Sequence, residues 1–223
     1  MFNSIRHKLA AACAVTASAL ALTFAPLPAA VAHGHGHEHA TAKVGEAAPD
    51  FTLTDLRNNE HTLSDFTNEG KVVVLEWFSP SCPFVVKHYA DEERQTINSI
   101  AADYADQNVV VLAINSAHPG HPYADPAKNL KAIESWGMSH SILMDPTGEV
   151  GKTYGAQKTP EMYIVDTEGV LRYAGALDNN SKPGRGQIGD VNYVRQALDE
   201  ILAGSAVSTP TTKAYGCSVK YAK

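Results

Sequence analysis

An alternation of strand-like and helix-like segments constrains the fold of this 223-residue chain most strongly. The strand-like segments are short apolar runs rich in β-branched residues, at 71–78, 109–114, 142–144, 162–165 and 170–173. Apolar residues recur at spacings of three and four in the segments between and after them, which predicts amphipathic helices at 83–104, 126–136, 149–154 and 191–202. Strands that alternate with helices and end in a hairpin predict an α/β domain with a mixed central sheet flanked by helices.

Cys82 lies where the first strong strand gives way to a helix. Pro83 suits the first helical position, because its missing N–H would have had no partner there. A thiol at a helix N-terminus meets the positive end of the helix dipole and free backbone N–H groups, which favour the nucleophilic thiolate. This position predicts redox or nucleophilic chemistry at Cys82, with inert packing or a structural disulfide as the alternative.

The first 32 residues predict an export signal. Arg6 and Lys8 provide a positive start, residues 9–25 an apolar stretch, and residues 30–32 (Ala-Val-Ala) a cleavage site between small residues. We therefore expect an exported protein, periplasmic or secreted. It should not be embedded in the membrane, because nothing after the signal is apolar enough to span a bilayer.

Charge and cysteine count limit the possible partners. Loss of the signal would remove two of the 18 basic residues and none of the 24 acidic ones, for a net charge near −8. Such a balance argues against nucleic acid or an anionic membrane as a partner. Cys13 would be lost with the signal, which leaves Cys82 and Cys217 in a compartment that permits disulfides.

Residues 33–43 form a His-rich linker that is a candidate metal site. Cleavage after Ala32 would create a terminus at His33-Gly34-His35, whose nitrogen donors suit the square-planar geometry favoured by Cu(II) and Ni(II). The four alternating histidines add loose capacity for Zn(II); they are His33, His35, His37 and His39. Adventitious binding by a solvated segment is the alternative, and the chemistry predicted at Cys82 requires no cofactor.

Thr159 and Pro160 stand immediately before the strand-like segment 162–165. Together with a cysteine that opens the first long helix, this order resembles the thioredoxin fold. In that fold the corresponding proline is cis and its loop faces the active-site cysteine, and an X-Pro bond adopts the cis form at small cost. The resemblance implies that Thr159 and Pro160 shape the substrate face beside Cys82.

Three motifs narrow this resemblance. They are Gly-Glu-Ala-Ala-Pro-Asp-Phe at 45–51, Ser-Cys-Pro-Phe-Val-Val-Lys-His-Tyr at 81–89 and Gly-Cys-Ser-Val-Lys at 216–220. They resemble the peroxiredoxin-like branch of the AhpC/TSA redoxin superfamily. The resemblance implies a thioredoxin-like domain over 44–203, preceded by an N-terminal extension and followed by a C-terminal tail over 204–223. It also implies that Ser79, three residues before Cys82, hydrogen-bonds the site.

The chain departs from that family in ways that bear on its chemistry. Many relatives carry Cys-x-x-Cys where this chain has Ser-Pro-Ser-Cys at 79–82, so no disulfide can form within the motif. Leu75 stands where peroxiredoxins have a proline, and Pro160 stands about where they have their catalytic arginine. A full peroxidase triad is therefore not visible.

Cys217 compensates for the missing cysteine. It follows Cys82 by 135 positions, on what we predict to be a flexible tail. A resolving thiol captures a sulfenic acid before over-oxidation, and a local rearrangement of the tail would let Cys217 act in this way. The alternative is a permanent Cys82–Cys217 disulfide that stabilises the fold by closing a long loop.

Lys87 and His88 follow Cys82 on the same predicted helix. They could assist the thiol by lowering its pKa or by moving a proton. A position on the polar, solvent-facing side of the helix is the equally acceptable alternative.

These observations predict an exported thiol oxidoreductase of peroxiredoxin-like type. Cys82 would attack a peroxide or a disulfide, Cys217 would resolve the oxidised form, and an external dithiol reductant would restore the pair. One alternative is a periplasmic thiol–disulfide exchange protein that does not use peroxide. The other is a non-catalytic metal-binding or chaperone module that uses the His-rich N-terminus.

Overall fold

A mixed β-sheet forms the centre of the computed structural model, which describes residues 41–90 and 96–223. The described strands are β1 (Thr52–Asp55), β2 (Glu60–Thr62), β3 (Val72–Trp77), β4 (Val109–Asn115), β5 (Ile142–Met144), β6 (Lys158–Thr159), β7 (Glu161–Val165), β8 (Leu171–Gly175) and β9 (Cys217–Ser218). Seven of them form one sheet in the order β2-β1-β5-β4-β3-β7-β8, and β6 pairs with β9 in a second, two-stranded sheet.

Helices cover both faces of the main sheet. The described α-helices are α1 (Leu63–Asn68), α2 (Pro83–Tyr89), α3 (Thr96–Asp103), α4 (Pro126–Trp136), α5 (Glu149–Tyr154) and α6 (Tyr193–Leu202). Val72 and Val74 of β3 pack in a core with residues of α2, α3 and α6. Val73 and Leu75 face the opposite way, into a core that includes Tyr154 of α5. Burial on both faces explains why β3 is a continuous apolar run, as expected for a strand in the middle of a covered sheet.

The predicted thioredoxin-like fold is confirmed. β3 runs parallel to β4 and antiparallel to β7, and β7 and β8 form the predicted hairpin. One helix differs from the prediction. The segment 83–104 contains two helices, because α2 ends at Tyr89 and α3 begins at Thr96. Tyr89 and Ile97 pack on the same core, so the apolar spacing continues through both helices and does not mark the end of the first.

The C-terminal segment is packed against the domain, which corrects the expectation of a flexible tail. The backbone of Ala174 in β8 exchanges hydrogen bonds with Pro210 and Thr212, at 3.1 and 3.2 Å. Farther along, Val219 donates its N–H to the carbonyl of Gln157 at 3.0 Å. These residues supply partners for strand edges that would otherwise present unpaired backbone groups. The segment 204–223 is thus continuous with the domain that it follows.

The predicted export signal and most of the His-rich linker lie outside the described residues. Of that linker only residues 41–43 are described, and Ala42 donates its N–H to the carbonyl of Thr153 at 2.9 Å. Over 41–90 and 96–223, no helix combines the length and the apolar character needed to cross a bilayer.

Candidate active site

Cys82 is the N-cap residue of α2, at the end of the loop that leaves β3. Its carbonyl oxygen accepts hydrogen bonds from the N–H groups of Val85 and Val86, both at 2.9 Å, and Pro83 occupies the start of the helix. Its own N–H donates to the carbonyl of Ser79 at 3.2 Å. The side chain of Cys82 is completely buried. The structure therefore places this thiol at a strand-to-helix junction, as the sequence predicts, and shields it from solvent.

The thiol of Cys82 faces the loop that contains Thr159 and Pro160. Its Sγ donates to the carbonyl oxygen of Thr159 at 2.9 Å, and the Thr159–Pro160 peptide bond is cis. A thiolate cannot donate a hydrogen bond, so ionisation of Cys82 removes this contact. The structure brings Thr159 and Pro160 to the position that the resemblance implies.

Cys217 lies beside Cys82 as a free thiol. In the β6–β9 pair Cys217 is directly opposite Thr159, whose carbonyl contacts Cys82. Both cysteines are reduced, and Cys217 is only partly buried. Burial, a hydrogen bond to Cys82 and the charge of Cys82 raise the pKa of Cys217 to about 12. Cys217 therefore keeps its proton at neutral pH and donates towards the Cys82 sulfur. No large rearrangement is needed to bring the two thiols together.

Gly216 permits the close approach of β9 to β6. Its φ of +132° lies in a region that residues with a side chain rarely adopt. A Cβ atom at this position would overlap the carbonyl oxygen of Thr159. Glycine before Cys217 is therefore required by the packing of the site.

The hydrogen bond from Ser79 to Cys82 that the resemblance implies is not formed through the side chain. Ser79 is buried, and within the described part of the chain its Oγ has no hydrogen-bond partner. The hydroxyl of Thr159 is likewise buried and unpartnered there. Ser79 contacts Cys82 through its backbone carbonyl, because the loop turns back on itself over these four residues. Two unpaired hydroxyl groups thus lie in the segments that flank the thiol.

The predicted alternative of a solvent-facing position is wrong for Lys87, because this residue is not on the surface. Its side chain is fully buried, and its ammonium donates to the carbonyls of Asn180, Lys182 and Gln187 at 2.5, 3.2 and 2.9 Å. Asp178 Oδ1 lies 3.9 Å from the same nitrogen. Burial lowers the pKa of Lys87, and the charge of Asp178 opposes that effect. Lys87 therefore binds the loop between β8 and α6 through its ammonium group.

His88 is also buried, which corrects its predicted surface alternative. Its Nε2 lies 3.2 Å from the hydroxyl of Tyr215, and its Nδ1 lies 3.4 Å from Thr96 Oγ1. Burial lowers the pKa of His88 to about 3, so the ring is neutral at ordinary pH. His88 contacts the segment that carries Cys217, two residues after Tyr215.

The sequence did not lead us to predict the buried carboxyl group of Glu76, which lies beneath α2. Glu76 is fully buried on β3, and its Oε2 accepts a hydrogen bond from the hydroxyl of Tyr89. That hydroxyl also lies 3.0 Å from Nε2 of the buried His140. Burial raises the pKa of Glu76 to about 8 and lowers that of His140 to about 4. A lone acid inside an apolar strand was the signal that could have identified this group.

The predicted metal ligands His33, His35, His37 and His39 lie outside the described residues. In the part of the chain that the structure does describe, no group of three or more His, Cys, Asp or Glu side chains is arranged to hold a metal ion. The metal prediction for the N-terminus therefore stays a prediction.

Part of the chain is similar to curated thiol–disulfide proteins. The chain is 30% identical over 129 residues to the thiol-disulfide oxidoreductase ResA of Geobacillus kaustophilus, covering 58% of this chain and 67% of that protein. It is 28% identical over 144 residues to the thiol:disulfide interchange protein DsbE of Haemophilus influenzae, covering 64% of this chain and 71% of that protein.

A solved structure extends the similarity over most of the chain. A hypothetical protein from Sinorhizobium meliloti superimposes with a TM-score of 0.71 at 31% identity, covering 82% of this chain and 96% of that one. The model of the AhpC/TSA family matches residues 44–174, which include Cys82, Thr159 and Pro160. This match covers more than half of the sequence and confirms the family that the motifs indicated. The chain belongs to the AhpC/TSA family.

Proposed function

We propose that this protein is a thiol–disulfide oxidoreductase whose redox pair is Cys82 and Cys217. The observation that carries the proposal is the contact between a buried thiol at the start of α2 and a second thiol on β9. The names of the relatives ResA and DsbE, both of which describe thiol–disulfide chemistry, support it. Of the two substrates that the sequence left open for Cys82, a peroxide or a disulfide, these names favour the disulfide.

The reaction proceeds through two exchange steps. The Cys82 thiolate attacks one sulfur of a substrate disulfide, which forms a mixed disulfide and releases the other sulfur as a thiolate. That thiolate takes up a proton. Cys217 then loses its proton and attacks Sγ of Cys82, which releases the second substrate sulfur. The substrate gains two electrons and two protons, and the protein is left with a Cys82–Cys217 disulfide.

Each step uses a group that is already in place. Burial is the main cause of the raised pKa of Cys217, and the hydrogen bond to Cys82 and the charge of Cys82 add to it. The mixed disulfide removes the charge of Cys82, while Lys220 and Lys158 continue to lower the pKa of Cys217, so its ionisation becomes easier at this step. An external dithiol then reverses the exchange and returns both cysteines to the reduced form.

Peroxide is the weaker substrate candidate. The hydroxyl of Ser79 forms no hydrogen bond to Cys82 in the described structure, and the cations that act on Cys217 are lysines rather than an arginine. Peroxiredoxin-like activity nevertheless shares the same pair of thiols, so a peroxide sample belongs in the test.

The test uses the wild-type protein with Cys82→Ser and Cys217→Ser variants, each reduced and mixed with oxidised glutathione. We expect wild type to form an internal disulfide, Cys217→Ser to accumulate one glutathione on Cys82, and Cys82→Ser to react far more slowly. Intact mass and free-thiol counts report all three outcomes. A Cys82→Ser variant that reacts as fast as wild type would contradict the proposal. A parallel sample with hydrogen peroxide shows whether peroxide oxidises the pair faster than the disulfide does.

We also propose that the protein is exported, on the strength of the signal pattern over residues 1–32. The full chain expressed with its own N-terminus in a Gram-negative host should be recovered from the periplasm or the medium with a terminus at or near His33. Recovery from the cytoplasm with residues 1–32 intact would refute this.

A further inference from the structure

We propose that Tyr215 is a positioning residue that holds Cys217 against Cys82. This inference rests on the proposed function, since it assigns a role in the exchange between those two thiols. Tyr215 itself touches no reacting atom. It acts through Gly216, the single residue that separates it from Cys217.

Four side chains contact Tyr215 and hold it in place. Its hydroxyl donates to Oδ1 of Asp178 and lies 3.2 Å from Nε2 of His88. The ammonium of Lys87 lies 4.7 Å from the centre of its ring, and the ring of Phe84 lies 6.0 Å away, centre to centre. Three of these side chains belong to α2, the helix that Cys82 begins. The residue that anchors one cysteine is therefore held by the helix that carries the other.

The fourth side chain, Asp178, is itself held in one position. Its Oδ2 accepts the N–H of Gly189 at 2.6 Å, and its Oδ1 accepts the N–H of Asn180 at 3.0 Å. Lys87 offsets its charge and donates to three carbonyls of the same loop. A buried polar network with its partners in place is rigid, because each displacement breaks bonds that water cannot replace. Tyr215 is therefore attached to a fixed point of the molecule.

The link from this anchor to the thiol is short. Only Gly216 stands between Tyr215 and Cys217, and its conformation is required by the contact with Thr159. On the other side of Cys217, the N–H of Val219 bonds the carbonyl of Gln157 at 3.0 Å. Held on both sides, Cys217 is presented to Cys82 at a high effective concentration. Release of Tyr215 would lower that concentration and uncover Cys82.

The variant Tyr215→Phe tests this, because it keeps the ring and removes only the hydroxyl. Tyr221→Phe is the matched control. It makes the same change on the same segment, where the hydroxyl donates to the carbonyl of Ala156 at 2.7 Å. The readout is the equilibrium of the Cys82–Cys217 disulfide with mixtures of reduced and oxidised glutathione. We expect Tyr215→Phe to lower that equilibrium constant by about tenfold, as expected for loss of a hydrogen bond to a charged group, with little change in the control. An equal fall in both variants, or none in Tyr215→Phe, would overturn the proposal.

A second measurement does not depend on disulfide formation. In a Cys217→Ser background, iodoacetamide can alkylate Cys82 only when this buried thiol becomes exposed. The alkylation rate therefore reports how often the C-terminal segment moves away from Cys82. Adding Tyr215→Phe should raise this rate several-fold, whereas adding Tyr221→Phe should not. A wild-type protein that forms no Cys82–Cys217 disulfide would refute the proposed function, and this arm would still decide the role of Tyr215.

Thermal unfolding of every variant checks that the fold is intact. If Tyr215→Phe does not fold, His88→Leu takes its place, because it removes one of the two polar contacts of the Tyr215 hydroxyl. We expect the same direction of change in both readouts and a smaller size. Unchanged values in His88→Leu would then contradict the proposal.

Discussion

At the scale of single residues, the carboxyl of Glu76 makes the stability of the protein depend on pH. Its pKa in the folded state is about 8, against 4.5 for the free group, so the folded protein holds this proton more tightly than the unfolded chain. The stability that this proton contributes is present below about pH 4.5 and is lost as the pH rises through 8. The loss amounts to about 1.4 kcal/mol for each unit by which the pKa is raised.

We predict that Glu76→Gln removes much of this loss. Glutamine resembles the protonated carboxyl and does not ionise, so the free energy of unfolding of the variant should fall less between about pH 7 and about pH 9 than that of wild type. Urea unfolding at the two pH values measures the difference. Glu69→Gln is the control, since Glu69 is exposed and pairs with Lys71 on the surface. Parallel behaviour of wild type and Glu76→Gln would show that Glu76 does not titrate in this range.

At the scale of elements, the pairing of β6 with β9 brings the two cysteines together. Its register places Cys217 opposite Thr159, and the carbonyl of Thr159 accepts from Cys82. A two-residue pair has little stability of its own. It depends on the flanking contacts of the C-terminal segment and on the close approach that Gly216 permits.

We predict that Gly216→Ala disrupts this pairing. The new methyl group would overlap the carbonyl of Thr159, so β9 must move and the internal disulfide should form at least tenfold more slowly, by loss of orientation. Gly204→Ala is the control. Its φ of +70° also disfavours a side chain, but a Cβ atom there meets nothing within 4 Å. The control should lose about 1 kcal/mol of stability from its conformation alone and keep the wild-type rate of disulfide formation. Equal rates in both variants would refute this account.

For the protein as a whole, two buried histidines give the stability a pH dependence opposite in sign to that given by the carboxyl of Glu76. Burial lowers the pKa of His88 from 6.5 to about 3 and that of His140 from 6.5 to about 4. Below about pH 6.5 these two histidines therefore bind protons in the unfolded chain but stay neutral in the folded protein. The stability due to these two neutral rings is present above pH 6.5 and is lost as the pH falls through 4 and 3. Glu76 acts in the opposite direction over its own range.

We predict that the free energy of unfolding is greatest near neutral or slightly acidic pH and falls on both sides. Between about pH 4.5 and about pH 6.5, the gain in stability from the two histidines is larger than the loss from Glu76, so stability rises with pH. Above that range only Glu76 titrates, and stability falls. Urea unfolding across the pH range measures the curve. His140→Gln should flatten its acidic side relative to wild type. A curve that keeps rising to about pH 9 would contradict the assignment of Glu76.

Some of the site was predictable because the relevant signals are local. The apolar run of β3, the helical spacing after it and Pro83 together located Cys82 at a helix N-terminus, and the structure agrees. Lys87 and His88 were harder to place, because charged and polar residues on a helix usually face solvent. Their burial depends on the loop after β8 and on Tyr215, which are about 90 and 127 positions away in the chain.

The α/β fold class and the place of Cys82 at a strand-to-helix junction could be predicted from the sequence, because periodicity and helix-start signals depend on residues a few positions apart. The proximity of the Thr159–Pro160 loop to Cys82 was implied by the family resemblance alone. The packing of the C-terminal segment and the contact of Cys217 with Cys82 became known only from the assembled fold. The same holds for the burial of Glu76 and for the contacts of Tyr215 with α2. Each of these is a contact between distant parts of the chain, and such contacts depend on which strand edges and cavities the assembled fold leaves to be filled.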